Sequence, residues 1–301
     1  MTTTLGATAP ASGAGAHPWR DELIEVVRAV SGGLLFGVPL LFTMEVWWTG
    51  SHTTGLQMLF VLAMLFVPLL VLNSTEGFRS SRDVRLRDAA ADSIESMAIG
   101  IVVTALVLVL LREITVGSPL GIALGKVLYE AVPFCLGIGV ARHFLHGGRD
   151  GGTDDDEGGE GSGGGTDDSS ALHADLADLG ATTIGATFIA LSIAPTDEVP
   201  MIASAMTPAW LLLVMAASLV CSYAIVFVAG FAGQEGRQGQ QGPLQHPLTE
   251  TIVCYLVALV VAAFLLWLFQ RGQRPADDLL TRVIVLGLPA TVGGAAGRLA
   301  L

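Results

Sequence analysis

The chain of 301 residues is 52% hydrophobic and only 14% charged, with a formal net charge of −12. An ordinary soluble domain carries about a quarter of its residues as charged side chains, so this composition excludes that class. The mean hydropathy of +0.64 indicates a polytopic membrane protein whose partner is the lipid bilayer. The acidic balance excludes a basic surface that binds nucleic acid.

Eight apolar windows are long enough to cross a bilayer, which takes roughly 20 mostly apolar residues as a helix. Barrel strands are shorter and alternate in polarity, so we predict an all-α protein with eight transmembrane helices. The windows cover approximately residues 27–48, 54–72, 90–111, 121–144, 176–195, 208–232, 248–269 and 279–300.

Residues 1–26 are predicted to be an N-terminal cytoplasmic lead-in. No positively charged segment precedes a short apolar core there, so a cleaved signal peptide is not expected. Ten of the 15 Lys and Arg residues fall on the side of the membrane that holds the N-terminus. This excess predicts a cell-membrane protein with both termini in the cytoplasm.

Two soluble segments follow from composition. Residues 79–87 carry four arginines at the predicted cytoplasmic face, where lipid head groups are favoured over a protein partner. Residues 147–170 are almost entirely Gly, Asp, Glu, Ser and Thr, which is typical of a solvated flexible linker. This acidic linker is predicted to be cytoplasmic.

Acidic residues end the first and fifth windows. Glu45 closes the first, while Asp197 and Glu198 lie between Pro195 and Pro200 at the end of the fifth. The two prolines are expected to remove backbone donors and break the helix. Such a break leaves carbonyl groups where a cation could bind.

The two halves of the chain resemble each other when they are displaced by about 155 residues. Gly32, Thr43 and Glu45 then match Gly185, Thr196 and Glu198; Asp92 matches Glu250; and Lys126, Pro133, Gly137 and Arg142 match Arg282, Pro289, Gly293 and Arg298. We predict a tandem (4+4) repeat, with membrane repeat 1 at residues 27–146 and membrane repeat 2 at residues 171–301. Four spans per copy give both copies the same orientation, with a pathway between them.

Three stretches of the chain resemble a known family. They read EVWW at residues 45–48, APTDEVP at residues 194–200, and GLP at residues 287–289 continuing to Arg298. The chain from about residue 20 onward, apart from the linker, resembles the uncharacterised prokaryotic integral membrane protein family called domain of unknown function 2391. The resemblance implies the topology, and the family has no assigned activity to transfer.

Charged residues inside the windows are candidates for function, because a charge at the bilayer centre costs at least about 2.5–3.5 kcal/mol. We expect them in two layers with an apolar middle. The outer layer comprises Glu45, Lys126, Glu130, Asp197, Glu198 and Arg282, and the inner layer comprises Asp92, Glu95, Arg142, Glu250 and Arg298.

These layers have two interpretations. In the first they are structural ion pairs, for example Lys126 with Glu45 or Glu130, and Arg282 with Glu198. In the second the acids form an ion or proton path between the halves. Glu130 and Glu95 favour the second interpretation, because the repeat places Leu286 and Val253 opposite them.

The leading hypothesis is a transporter or channel for a small cation or proton. The alternative is a membrane scaffold or sensor that acts through the acidic linker and the basic run at residues 79–87. An enzyme is not expected, since no recognisable nucleophile set, metal site or cofactor motif is present. Cys135, Cys221 and Cys254 lie in apolar windows without CxxC spacing, which supports neither a disulfide framework nor a zinc site.

Overall fold

The computed structural model describes residues 18–75, 86–145, 167–229, 246–271 and 275–299. Within these ranges the chain forms helices and no strand, which confirms the all-α prediction. The predicted N-terminal lead-in up to residue 17, most of the basic run and most of the acidic linker lie outside the described residues. The last linker residues belong to a helix that begins at Asp167.

Within the described ranges, each half contains one short helix and four long ones. The first half comprises α1 (Pro18–Leu41), α2 (Met44–Ser51), α3 (Gly55–Thr75), α4 (Leu86–Leu110) and α5 (Leu120–Leu145). The second half comprises α6 (Asp167–Ile193), α7 (Glu198–Ser204), α8 (Pro208–Tyr223, continued by a π-helical turn at Ala224–Val228), α9 (Pro247–Leu268) and α10 (Ala276–Leu299).

Eight of the described helices are long and apolar enough to cross a membrane, as predicted. The short helices α2 and α7 were not predicted as separate elements. The first apolar window was expected to run unbroken to residue 48, but α1 ends at Leu41 and α2 starts at Met44. Pro39 lies in the last turn of α1, and Thr43 has an extended backbone with φ −116° and ψ 97°, so the helix is interrupted there.

Two helices occupy the centres of the two halves. Helix α5 packs against α1, α2, α3 and α4, and α10 packs against α6, α7, α8 and α9. Burial follows this arrangement: 78% of the α10 span is buried, against 11% of the α3 span. The surface of α3 is therefore left for lipid.

Small residues let the central helices approach their neighbours closely. A Cβ atom added to Gly32 of α1 would lie 2.7 Å from the Gly137 carbonyl oxygen of α5. A Cβ atom added to Gly293 of α10 would lie 2.5 Å from the Gly185 carbonyl oxygen of α6. Both contacts are of the small-residue type that brings membrane helices together.

The bundle has two ends. The terminal end holds the start of α1 and the end of α10, and the short-helix end holds the α4–α5 and α9–α10 connections. The halves meet at both ends. At the terminal end, Arg28 Nε–H donates to the Ala229 carbonyl over 2.7 Å. At the short-helix end, Trp210 Nε1–H donates to the Leu110 carbonyl, and the Arg112 guanidinium lies 5.2 Å from the Trp210 ring centre.

Candidate functional site at two helix breaks

The break between α1 and α2 lies halfway through the bundle. Going along α1, Gly32 contacts Gly137 and Gly37 contacts Phe134, so α1 and α5 run in opposite directions. One further turn on each helix brings Leu41 to the level of Glu130. That level is ~15 Å along α5 from Leu120, at 1.5 Å per residue, near the middle of the span Leu120–Arg142.

The break between α6 and α7 lies at a similar depth in the second half. Gly185 contacts Gly293 and Gly297, and Ile189 contacts Gly293. One further turn brings the end of α6 at Ile193 to the level of Pro289, close to the middle of α10. Both halves therefore contain a helix that stops inside the bundle and continues as a short helix.

Glu198 joins the two breaks. It is the first residue of α7 and only 8% exposed. The Met44 amide N–H, at the first residue of α2, donates to Glu198 Oε1 over 3.3 Å. Because the Thr43 side chain makes no capping bond, this carboxylate takes the role of a cap for α2. Glu198 Oε2 has no hydrogen-bond partner among the described residues.

Glu130 is the second buried acid at this depth. It is 0% exposed, and neither carboxyl oxygen has a hydrogen-bond partner in the part of the chain that the structure describes. Lys126, one turn away, is held by Glu113 Oε2 at 3.0 Å and lies 5.3 Å from the Trp47 ring centre. The pairing of Lys126 with Glu130 that the sequence suggested is therefore absent. The sequence also placed Glu130 in the outer layer, whereas it lies at mid-span.

The remaining outer charges also pair differently from the structural interpretation. Glu45 is exposed on α2, and within the described ranges it forms no ion pair with Lys126. Arg282 binds Asp278 on its own helix at 3.0 Å instead of Glu198. The sequence shows which helix carries a side chain, but the direction in which that side chain points depends on helix packing.

The two prolines near Asp197 have different roles. Pro195 lies in the break, but its carbonyl accepts a 2.6 Å hydrogen bond from Arg271 Nη2–H. The sequence predicts a carbonyl left for a cation here, whereas Arg271 occupies this one. Arg271 also binds Asp197 at 2.6 Å, and the Asp197 side chain is 83% exposed. Pro200 does not break the helix, because it lies in the first turn of α7, where amide groups have no helical partner in any case.

At the terminal end the inner charges are mostly paired. Arg142 of α5 binds Glu95 of α4 at 2.8 Å and donates to Ser96 Oγ at 3.3 Å. Arg298 of α10, which is wholly buried, contacts Glu250 of α9 and lies 3.7 Å from Asp178 of α6. These pairs tie each central helix to its neighbours.

Two inner residues depart from the expected pattern. Asp92 is exposed on α4, although the sequence matched it with Glu250, which is in a buried ion pair. Asp178 was not among the predicted candidates, and its position two residues into the fifth apolar window is the signal that could have indicated it. In the described part of the chain, no group of three or more His, Cys, Asp and Glu residues could hold a metal ion.

Residues 25–301 match the model of a protein family described as "Putative integral membrane protein (DUF2391)". No curated protein matches the chain, and no solved structure matches it.

Proposed function

The chain belongs to this family of integral membrane proteins. From the geometry of the site, we propose that it carries protons or small cations across the membrane at the two helix breaks. The observation that carries the proposal is the position of Glu198. Its carboxylate is buried inside the bundle, one oxygen accepts the first amide of α2, and the other has no partner among the described residues.

The free-energy cost of placing an ionisable group within the membrane supports a functional role for the Glu198 carboxylate. An ionisable group within the membrane is expensive and is normally retained only where it pairs or serves a transport path. The Glu198 carboxylate has no ion-pair partner in the described ranges, since Arg282 is engaged by Asp278. Interrupted helices at mid-membrane are also the typical place for substrate and ion sites in transporters.

We further propose that the protein consists of two four-span repeats. Support comes from the same order of one short and four long helices in each half. The glycines that the sequence matched also form equivalent contacts, Gly32 with Gly137 and Gly185 with Gly293. Two residues with a positive φ, Arg112 (61°) and Gln270 (58°), occupy corresponding connections before α5 and α10.

The orientation is part of the same proposal. We infer that the terminal end faces the cytoplasm and that the membrane is the cell membrane, because most Lys and Arg residues near the span ends fall on that side. The transport path would then run from the paired arginines at the terminal end to the break at Glu198. The site would open alternately to the two sides as one repeat moves against the other.

The test is transport by the full chain in liposomes. Fluxes of H⁺, Na⁺ and K⁺ are measured with ion-sensitive dyes under imposed gradients, for the wild type and for Glu198→Gln. The Gln oxygen still accepts the Met44 amide, so we expect the variant to fold normally and to lose most of its flux. Asp277→Asn, which neutralises an exposed acid at the start of α10, is the matched control and keeps the wild-type rate.

Two results would refute the proposal. One is wild-type liposomes that pass none of these ions faster than protein-free liposomes. The other is Glu198→Gln protein that transports at the wild-type rate.

A further inference from the structure

We propose that Glu130 is a proton-binding site, that its carboxyl group is protonated in the resting protein, and that this proton is exchanged during transport. The inference rests on the proposed function and identifies the transported or coupling ion as H⁺.

The Glu130 carboxyl group is enclosed by the helix bundle. Glu130 is 0% exposed, lies near the middle of the span Leu120–Arg142, and has no hydrogen-bond donor to either oxygen among the described residues. Transfer of an ionised carboxylate into such a place costs far more than transfer of the neutral acid. The neutral acid is therefore the form that this position stabilises, although an exposed glutamate with a pKa of about 4.3 is ionised at neutral pH.

Neighbouring charges matter because a nearby cation would favour the carboxylate form of Glu130. On α5 itself, Lys126 is engaged by Glu113 and Arg142 by Glu95. Helix α3 carries no charged residue. The other described charged groups on the packed helices lie toward the terminal end or on the surface: Arg20, Glu22, Glu25 and Arg28 on α1, Glu45 on α2, and Arg87, Asp88, Asp92 and Glu95 on α4. Among the residues that the structure describes, no cation is left to neutralise Glu130.

Packing alone does not require an acid at position 130. Leu286 occupies the matching position of α10 and is wholly buried, so an aliphatic side chain fills this place in the second half. A buried acid without hydrogen-bond partners destabilises the fold relative to leucine. A buried acid that lowers stability and has no hydrogen-bond partner among the described residues is better explained by chemistry than by structure.

The break between α1 and α2 offers a route for a proton to Glu130. Glu130 lies level with the end of α1, and the last turn of a helix presents carbonyl oxygens that lack helical amide partners. The last of them, at Leu41, already accepts a hydrogen bond from Trp47 Nε1–H over 3.1 Å. These oxygens can accept a hydrogen bond from a carboxylic acid but not from a carboxylate. On the far side of the same break, Met44 binds Glu198. The break between α1 and α2 thus has one buried acid from each half at its level. Proton exchange at either acid moves H⁺ and no other cation.

The experiment is infrared difference spectroscopy on the full-length protein in liposomes at neutral pH. The wild type minus Glu130→Gln spectrum should contain the C=O stretch of a protonated carboxylic acid, and this band should shift in D₂O. Asp277→Asn serves as the control and should show only the loss of carboxylate bands. Loss of carboxylate bands in Glu130→Gln as well would mean that Glu130 is ionised, and would overturn the inference.

A second variant covers the case in which Glu130→Gln folds poorly. Glu130→Leu copies the second half and should unfold at a higher temperature than the wild type, while losing both the band and the pH-driven H⁺ flux. A lower unfolding temperature would show that Glu130 stabilises the fold, and would contradict the inference.

The flux measurements separate the two proposals. Na⁺ or K⁺ transport by the wild type without H⁺ transport would overturn the role of Glu130 and leave the proposed function standing. Absence of any flux from the wild type would overturn the proposed function, even with the acid band present. Unchanged H⁺ flux in Glu130→Gln would overturn the role of Glu130 alone.

Discussion

The close contact between α6 and α10 makes a sharp prediction about two glycines on one helix. A Cβ atom added to Gly185 would lie 2.9 Å from the Gly297 Cα atom and would also collide with the Gly293 carbonyl. Gly180, about one and a half turns earlier on α6, has nothing within 4 Å of an added Cβ atom. Gly185→Ala and Gly180→Ala therefore make the same chemical change in the same helix, but only one of them meets backbone atoms.

The magnitudes follow from two opposing effects. Replacing glycine by alanine inside a helix contributes about 1 kcal/mol of stability through helix propensity, which is the whole effect expected for Gly180→Ala. Adding a methyl group to a tightly packed contact costs about 1–3 kcal/mol. We expect the upper part of that range at Gly185, because backbone atoms cannot rotate away as a flexible side chain can.

The free energy of unfolding of Gly185→Ala should therefore lie about 3 kcal/mol below that of Gly180→Ala, taking the upper overpacking cost. Denaturant unfolding in detergent micelles, followed by helical circular dichroism, measures this difference. Gly32→Ala should behave like Gly185→Ala, because its Cβ would lie 2.7 Å from the Gly137 carbonyl oxygen. Equal stability of the Gly180 and Gly185 variants would refute the close approach of α6 and α10.

Two further predictions concern charges. Glu250→Gln should lower the free energy of unfolding by roughly 3 kcal/mol, because it removes one partner of a buried ion pair. Glu95→Gln should lower it by about 1 kcal/mol or less, because the Glu95 side chain is 54% exposed. The same unfolding assay compares the two variants, and equal losses would contradict the burial of Arg298. A double-mutant cycle on Glu198 and Arg282 should give changes in the free energy of unfolding that add within about 0.5 kcal/mol, because the two side chains are not partners. Strong coupling between them would restore the ion-pair interpretation.

Part of the site could be read from the sequence. Pro195 and the neighbouring acids correctly indicated an interruption at the end of the fifth window, because a proline and a carboxylate are both poorly tolerated inside an apolar helix. The interruption at Thr43 was not predicted. The apolar residues continue through Trp47 and Trp48, so hydropathy alone does not distinguish one long span from a span followed by a short helix.

Glu130 shows most clearly what the sequence could not decide. Its spacing from Lys126 on one helix face suggested an ion pair. In the structure Lys126 turns instead to Glu113, which follows a residue with a φ of 61° in the α4–α5 connection. Spacing along one helix predicts partners on the same helix face. It does not predict a partner that comes from a loop.

The sequence by itself determined the class of protein and the number of spans, because hydropathy acts along the chain and needs no knowledge of neighbours. Only the tertiary structure decided which charges are paired and which acids are enclosed. Pairing depends on the direction in which each helix faces its neighbours, and that direction follows from close contacts such as Gly32 with Gly137. Packing thereby leaves Glu45 exposed while it buries Glu130 and Glu198 beside the same helix break.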